Sequence, residues 1–302
     1  MALIGGRRHS HFRTPTAAVS TLLRITTKMA QFKTHCIFCN EPARRTAEHI
    51  FGQWMKDRFT STFTRTDHFT SFTDWRSGAP ISTMAKGRLH RQGNPHAQQL
   101  RLVCKRCNNE WMSRLQTSAS DVLSALMRDD WSTLDRVGIR HLAAWSAMVT
   151  MCFEFADLKT QAIPQQEREI LMNTGAPPDN WIIGFGRVAA SVDPESTWHR
   201  GAYIGPPIIG PGLPACNVQT TTIVLRSCFV HCLSGPARLI PQPEHYAASL
   251  GIRQFWPISN NVPTMPLAFT AAGLARVATN FFIPYGGSPD LLIGSRIPFV
   301  RY

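Results

Sequence analysis

The sequence predicts an α+β protein with a small zinc-stapled unit near its N-terminus, then a helical segment, then a mixed α/β C-terminal half. Three observations predict this. Two C-x-x-C pairs, Cys36–Cys39 and Cys104–Cys107, each adjoin short strand-like runs. The excess positive charge lies entirely in the first 120 residues. After residue 116 the pattern turns to helical periodicity, and from Trp181 onward to short β-type runs separated by Pro and Gly.

Two C-x-x-C pairs can bring four thiolates to one tetrahedral zinc ion, a closed structural site. One pair alone would be weaker, because redox motifs share the spacing. The other four cysteines are Cys152, Cys216, Cys228 and Cys232. Cys152 falls in an apolar helical run and reads as core. Cys228 and Cys232 share one face of a strand-like run, too far apart for an easy bridge. They read as buried thiols in a reducing compartment, and a cytoplasmic location is the expectation.

The net charge of +13 is unevenly placed. Residues 1–120 hold 19 Lys and Arg against 6 Asp and Glu, whereas residues 121–302 hold 13 of each. A phosphate backbone is the usual partner of such a patch, because each neutralised phosphate releases counterions. DNA is the expected partner, with RNA as the alternative. No apolar run reaches the length that spans a bilayer, so no membrane partner is expected.

The elements follow in order. Residues 1–32 lack acids and carry Arg7, Arg8, Arg13, Arg24 and Lys28. They read as a basic arm without fixed structure, a transit-like segment, or an extension upstream of a start at Met29. Residues 33–116 form the zinc unit. Asn40-Glu41-Pro42 is a turn, Thr46 to Phe51 a strand, Gly52 its end, and Gln53 the start of a short helix. Residues 60–98 read as an insertion, with hairpin material from Thr60 to Trp75 and a basic cluster of Lys86, Arg88, His90 and Arg91. Leu100 to Val103 forms a strand into the second pair, and Asn108 to Leu115 opens a helix. Trp111 and Leu115 share its core face. Residues 117–302 make up the rest. Helices are expected over Asp121 to Met127, Asp135 to Phe155 and from Pro164, where Pro and early acids mark a start. Strands are expected at Trp181 to Phe185, Thr220 to Val230 and Pro298 to Arg301, and a helix at Ala268 to Ala278. A homodimer through this half is the expected assembly.

Three features carry a family resemblance: C-x-x-C before Glu48-His49, an apolar strand running into the second C-x-x-C, and Asn108 directly after Cys107. Over roughly residues 33 to 115 the chain resembles HNH endonucleases of the His-Me finger (ββα-metal) class, in their form with two zinc-stapling C-x-x-C pairs. The run Cys107 to Met112 is similar to a variant in bacterial and phage proteins of this type. The resemblance implies a ββα-metal unit around a structural Zn²⁺ on Cys36, Cys39, Cys104 and Cys107. It implies that His49 activates water while Glu48 and Asn108 hold a catalytic Mg²⁺ or Mn²⁺.

Those residue types suit phosphodiester hydrolysis on their own account. An imidazole accepts a proton near neutral pH, and carboxylate and amide oxygens suit a hard cation. Arg44, Arg45, Lys86, Arg88, Arg91, Lys105 and Arg106 are the candidate nucleic-acid contacts. The chain departs from the family where the middle Asn is usual, because Gln99 stands there. Asn109 is the alternative ligand if the helix starts one residue later, and Asn108 as a helix cap is compatible with its metal role. His68, His90 and His96 read as surface histidines. Two other functions stay open: a zinc-stapled nucleic-acid-binding protein without catalysis, and a redox protein using the cysteine pairs.

Overall fold

Apolar strands and helices need a face to bury, and here a long mixed sheet and the buried helix beneath it supply that face for each other. The computed structural model describes residues 34–59, 67–74, 81–85, 99–190, 196–204, 216–258 and 266–279. The expected basic arm, the cluster at Lys86, Arg88, His90 and Arg91, His96, and the strand at Pro298 to Arg301 lie outside them.

The chain opens with a two-stranded ribbon, β1 (Thr34–His35) and β2 (Pro42–Ala43). Strand β3 (Arg45–His49) follows, then helix α1 (Gln53–Arg58). The expected strand through Phe51 thus ends two residues early. Ile50 and Phe51 turn into the core instead, and Gly52 at φ +79° makes the corner. A side chain at Gly52 would strike the Gln116 amide, so glycine is required there on two counts.

Strands β4 (Asp67–Asp74) and β5 (Ile81–Ala85) form an antiparallel hairpin; β4 lies in the stretch from Thr60 to Trp75 where hairpin material is expected, and β5 lies beyond it. Strand β6 (Gln99–Cys104) then pairs antiparallel with β3. A helix runs on from Lys105, through α2 (Lys105–Cys107), a π-helical turn at Asn108–Met112, and α3 (Ser113–Met127). It starts three residues earlier than expected because Cys104 caps it, its Sγ accepting the Cys107 N–H at 3.4 Å.

Helix α4 (Arg136–Phe153) is capped by Asp135, which accepts from the Gly138 N–H at 2.7 Å. It is buried almost all round, as befits a helix at the centre of the protein. Helix α5 (Gln165–Thr174) follows Pro164 as expected and ends at Gly175 in the left-handed region, before the prolines.

The sheet strands follow: β7 (Ile182–Val188), β8 (Ser196–Tyr203), β9 (Val218–Leu225) and β10 (Cys228–Ser234). Helix α6 (Pro243–Leu250), β11 (Arg253–Trp256), β12 (Ala268–Phe269) and α7 (Ala271–Thr279) complete the described chain. The single run expected over Thr220 to Val230 is two strands, turning at Arg226, whose φ is +55°. The helix expected from Ala268 begins at Ala271, its first residues pairing instead with β7.

The sheet order is β11-β7-β10-β9-β8-β4-β5, with β12 also beside β7. Most pairs are antiparallel, but β4 lies parallel to β8 over eight residues, Asp67 opposite Ser196 through Asp74 opposite Tyr203. The inserted hairpin therefore completes the C-terminal sheet. Alternation sends Phe185, Ile223, Val230 and Cys232 toward α4, and Ile182, Val224, Phe229 and Leu233 toward α6 and α7. Cys152 and Cys228 are buried too, as expected. Both faces of β9 and β10 are covered, which is why every residue in them is buried.

One hydrophobic core joins the first cysteine pair to this sheet, passing through Met112, Leu123, Trp145 and Phe153. Its polar fixings sit where helices meet. Gln116 Oε1 accepts from both Trp54 Nε1 at 3.2 Å and Trp145 Nε1 at 2.9 Å. Arg168 pairs with Glu154 in the interior and donates to the Met151 and Ile163 carbonyls. Glu154 Oε2 also accepts from the Ala162 and Ile163 N–H groups, so neither charge is left uncompensated in the interior. Arg187 and Asp129 form a bidentate pair that ties β7 to the turn after α3.

Candidate functional site

The four cysteines come together because two turns converge on the end of β6. In the first turn Asn40 sits at φ +54°, its N–H donating to Cys36 O at 3.0 Å while Cys36 N–H donates to Glu41 O at 3.1 Å. The Ile37 N–H then donates to Leu102 O at 3.1 Å, fastening this turn to β6. From the other side, Gln165 Nε2 on α5 donates to Phe38 O at 2.9 Å. The second turn is the start of α2, so Cys104 and Cys107 approach on the helix N-terminus, whose dipole favours thiolates.

The four Sγ atoms lie within 4.8 Å of one another. Cys39 and Cys104 are 3.8 Å apart. Sulfurs at the corners of a tetrahedron with Zn–S near 2.3 Å are about 3.8 Å apart. The hydrogen bond from the Cys107 thiol holds the Cys36 thiol well below its ordinary range, and the same bond pushes Cys107 up. An all-sulfur donor set with this spacing fits a metal such as zinc. Among the described residues it is the one group of three or more His, Cys, Asp or Glu side chains placed to hold an ion.

His49 is half-buried at the end of β3, and its backbone partner on β6 is Gln99. The Gln99 Nε2 lies 2.7 Å from His49 Nε2 and 3.5 Å from Nδ1. Burial first, and the Lys56 charge second, hold the imidazole below its usual pKa. Both causes favour the neutral ring, the form a proton acceptor needs. Glu48 pairs with Leu100 along the same ladder.

Asn108 occupies the π-helical turn with helical backbone angles, so it is not the helix cap; Cys104 is. Its Nδ2 donates to Thr46 Oγ1 at 3.2 Å, and Thr46 Oγ1 donates to Val103 O at 3.1 Å. Between Thr46 and Ala47 the ladder slips, because Thr46 faces Val103 while Ala47 faces Arg101. This bulge frees the Leu102 carbonyl for the first cysteine turn, and such irregularities re-aim neighbouring side chains. The Asn108 carbonyl oxygen suits in kind an oxygen-seeking cation such as Mg²⁺ or Mn²⁺.

Of the expected nucleic-acid contacts, Arg44, Lys105 and Arg106 are exposed around the cysteine cluster. Arg106 lies against Cys39, whose sulfur raises its pKa further. Arg45 is half-buried, its Nε donating to His35 O at 2.9 Å, so it helps to hold the first turn. Lys86, Arg88 and Arg91 lie outside the described residues.

The structure thus brings the four cysteines together, sets His49 against Gln99, and ties Asn108 to the strand that carries Glu48 and His49. Sequence reasoning missed Thr46 and Lys56 as members of this site. Thr46 lies two residues before Glu48 in a strand and differs in no way from any strand threonine. Lys56 follows His49 by seven residues, across a corner that only Gly52 signals. No family model matches the chain, and no curated protein or solved structure matches it.

Proposed function

We propose that this chain is a metal-dependent endonuclease of the HNH, ββα-metal type that hydrolyses DNA phosphodiester bonds. The reading rests on one observation above all: a half-buried His49 lies on a strand whose Thr46 is tied to Asn108, right after the second cysteine pair. A structural zinc on Cys36, Cys39, Cys104 and Cys107 would fix β6 and the helix start, and so the distance between strand and helix. In this reading Glu48 and Asn108 would hold a Mg²⁺ or Mn²⁺ ion, which would supply charge stabilisation at the scissile phosphate and the departing oxygen.

The chain's own part is then the following. His49 accepts a proton from a water molecule. The water oxygen attacks phosphorus, the P–O3′ bond breaks, and the departing oxygen takes a proton from solvent. Arg44, Lys105 and Arg106 face the phosphate backbone and give binding that weakens with salt.

A supercoiled plasmid incubated with Mg²⁺ or Mn²⁺ tests this. Wild type nicks or linearises it, whereas His49→Ala and wild type in excess EDTA leave it intact. A plasmid that is shifted on a gel by all three and cut by none would overturn the nuclease reading. It would favour the second reading, a zinc-stapled nucleic-acid-binding protein without catalysis. That second reading draws on Gln99, which stands where the family's shorter Asn is usual and occupies a ring nitrogen of the proposed base.

A further inference from the structure

Hydrogen-bond bookkeeping around Thr46 fixes the orientation of Asn108. A hydroxyl has one hydrogen, and a backbone carbonyl can only accept. The Thr46 hydroxyl spends its hydrogen on Val103 O, so toward Asn108 it can only accept. Only the amide N–H₂ can answer an acceptor. Asn108 must therefore turn its N–H₂ to Thr46 and its Oδ1 away. The Val103 carbonyl is itself placed by the slip in the β3–β6 ladder, where Thr46 faces Val103 before the register changes.

We propose that Thr46 is a positioning residue of this site: its hydroxyl sets the Asn108 amide so that Oδ1, not the N–H₂ group, is offered to a hard divalent cation. The inference rests on the nuclease reading for the role of Asn108, but its own readout is cation binding. Valine at position 46 keeps the shape and loses the acceptor, so the amide is free to flip. Serine keeps the acceptor.

The test uses the full chain, with zinc content and thermal melting recorded for each variant. Mn²⁺ affinity is read from the electron paramagnetic resonance signal of free Mn²⁺, and plasmid nicking is followed against Mn²⁺ concentration. Thr46→Val is expected to weaken Mn²⁺ binding about tenfold, as loss of a hydrogen bond behind a metal ligand commonly does. Nicking by Thr46→Val requires correspondingly more Mn²⁺, and Thr46→Ser restores the affinity. With Asn108→Asp both arms of the side chain are oxygens, so adding Thr46→Val costs no further affinity.

Unchanged affinity in Thr46→Val overturns the proposal. So does an equal loss in Thr46→Ser, a further tenfold loss in the Asn108→Asp background, or a wild type that binds no Mn²⁺. A wild type that binds Mn²⁺ with this dependence on Thr46 yet cuts nothing supports the proposal and removes the nuclease reading.

Discussion

His49 and Gln99 are direct cross-strand partners, and the Gln99 amide reaches the His49 Nε2 at 2.7 Å. The Gln99 N–H₂ only donates, so this contact takes the Nε2 lone pair; His49 can accept water's proton with the amide turned to offer its oxygen to the ring N–H, which leaves the other nitrogen's lone pair for water. Gln99→Ala should therefore lower the nicking rate roughly tenfold to a hundredfold, part of what a positioned base contributes. Zinc content should not change. Equal rates in wild type and Gln99→Ala, measured at saturating Mg²⁺, would mean that Gln99 does not orient the base.

Lys56 bears on the proposed base through charge. Its ammonium adds to burial in holding the His49 pKa down. A base works when deprotonated, so the acid limb of the pH–rate profile follows that pKa. Lys56→Gln removes the positive charge, raises the pKa, and moves the acid limb to higher pH. Because burial is the larger cause, most of the depression remains. A limb that stays in place, or moves to lower pH, would show that Lys56 does not act on His49.

The cysteine cluster was legible in the sequence because metal ligation demands one residue type at fixed short spacings. The turn at Arg226 was not, since that position takes φ +55° without the Gly or Asn that usually advertises it. Nor was the parallel pairing of Asp67–Asp74 with Ser196–Tyr203, because alternation along one strand says nothing about a distant neighbour. Helix α6 carried readable signals, Pro243 at its start and Gly251 after its end, of the same kind that located α5. Gln99 was legible in the sequence through the resemblance, whereas Thr46 gained its place from the β3–β6 register, and the ladder slip beside it leaves no compositional mark.

Cys104 has two jobs, as a member of the sulfur cluster and as cap of the helix that carries Asn108. Cys104→Ser should release the ion and loosen the start of that helix. The shared core makes the loss cooperative: Cys104, Cys107 and Met112 pack in the same cluster as Trp145 and Phe153. A structural zinc site contributes folding energy directly, so a fall on the order of several kcal/mol is expected. Zinc per chain by mass spectrometry should drop from about one to near zero, with a lower melting temperature. Retention of both zinc and the wild-type melt would refute the staple.

Acid stability should depend on two histidines buried in the sheet. His199 is held at about 4 and His231 at about 3, each because burial disfavours the charged ring. His231 is fully engaged as a neutral ring, between Thr222 Oγ1 at 2.7 Å and Tyr246 Oη at 2.8 Å. His199 Nδ1 meets Thr221 Oγ1 at 2.8 Å. Both folded pKa values lie below the unfolded value near 6.5, so between them the unfolded chain binds more protons than the native one. Their contribution is complete above about pH 6.5 and is lost as pH falls toward 4. Each adds a slope of up to ~1.4 kcal/mol per pH unit in that window. Asp121, Asp129 and Asp130, all held low mainly by hydrogen bonds to partners, act only further down. Glu167, raised by burial, offsets part of the loss near its own range. Urea melts from pH 7 to 4.5 should show stability falling once the pH drops below about 6.5. His231→Gln, which cannot titrate, should start lower and fall with a shallower slope, since one contribution of up to ~1.4 kcal/mol per pH unit is gone. A mutant whose slope equals wild type would show that His231 is not the buried neutral ring described here.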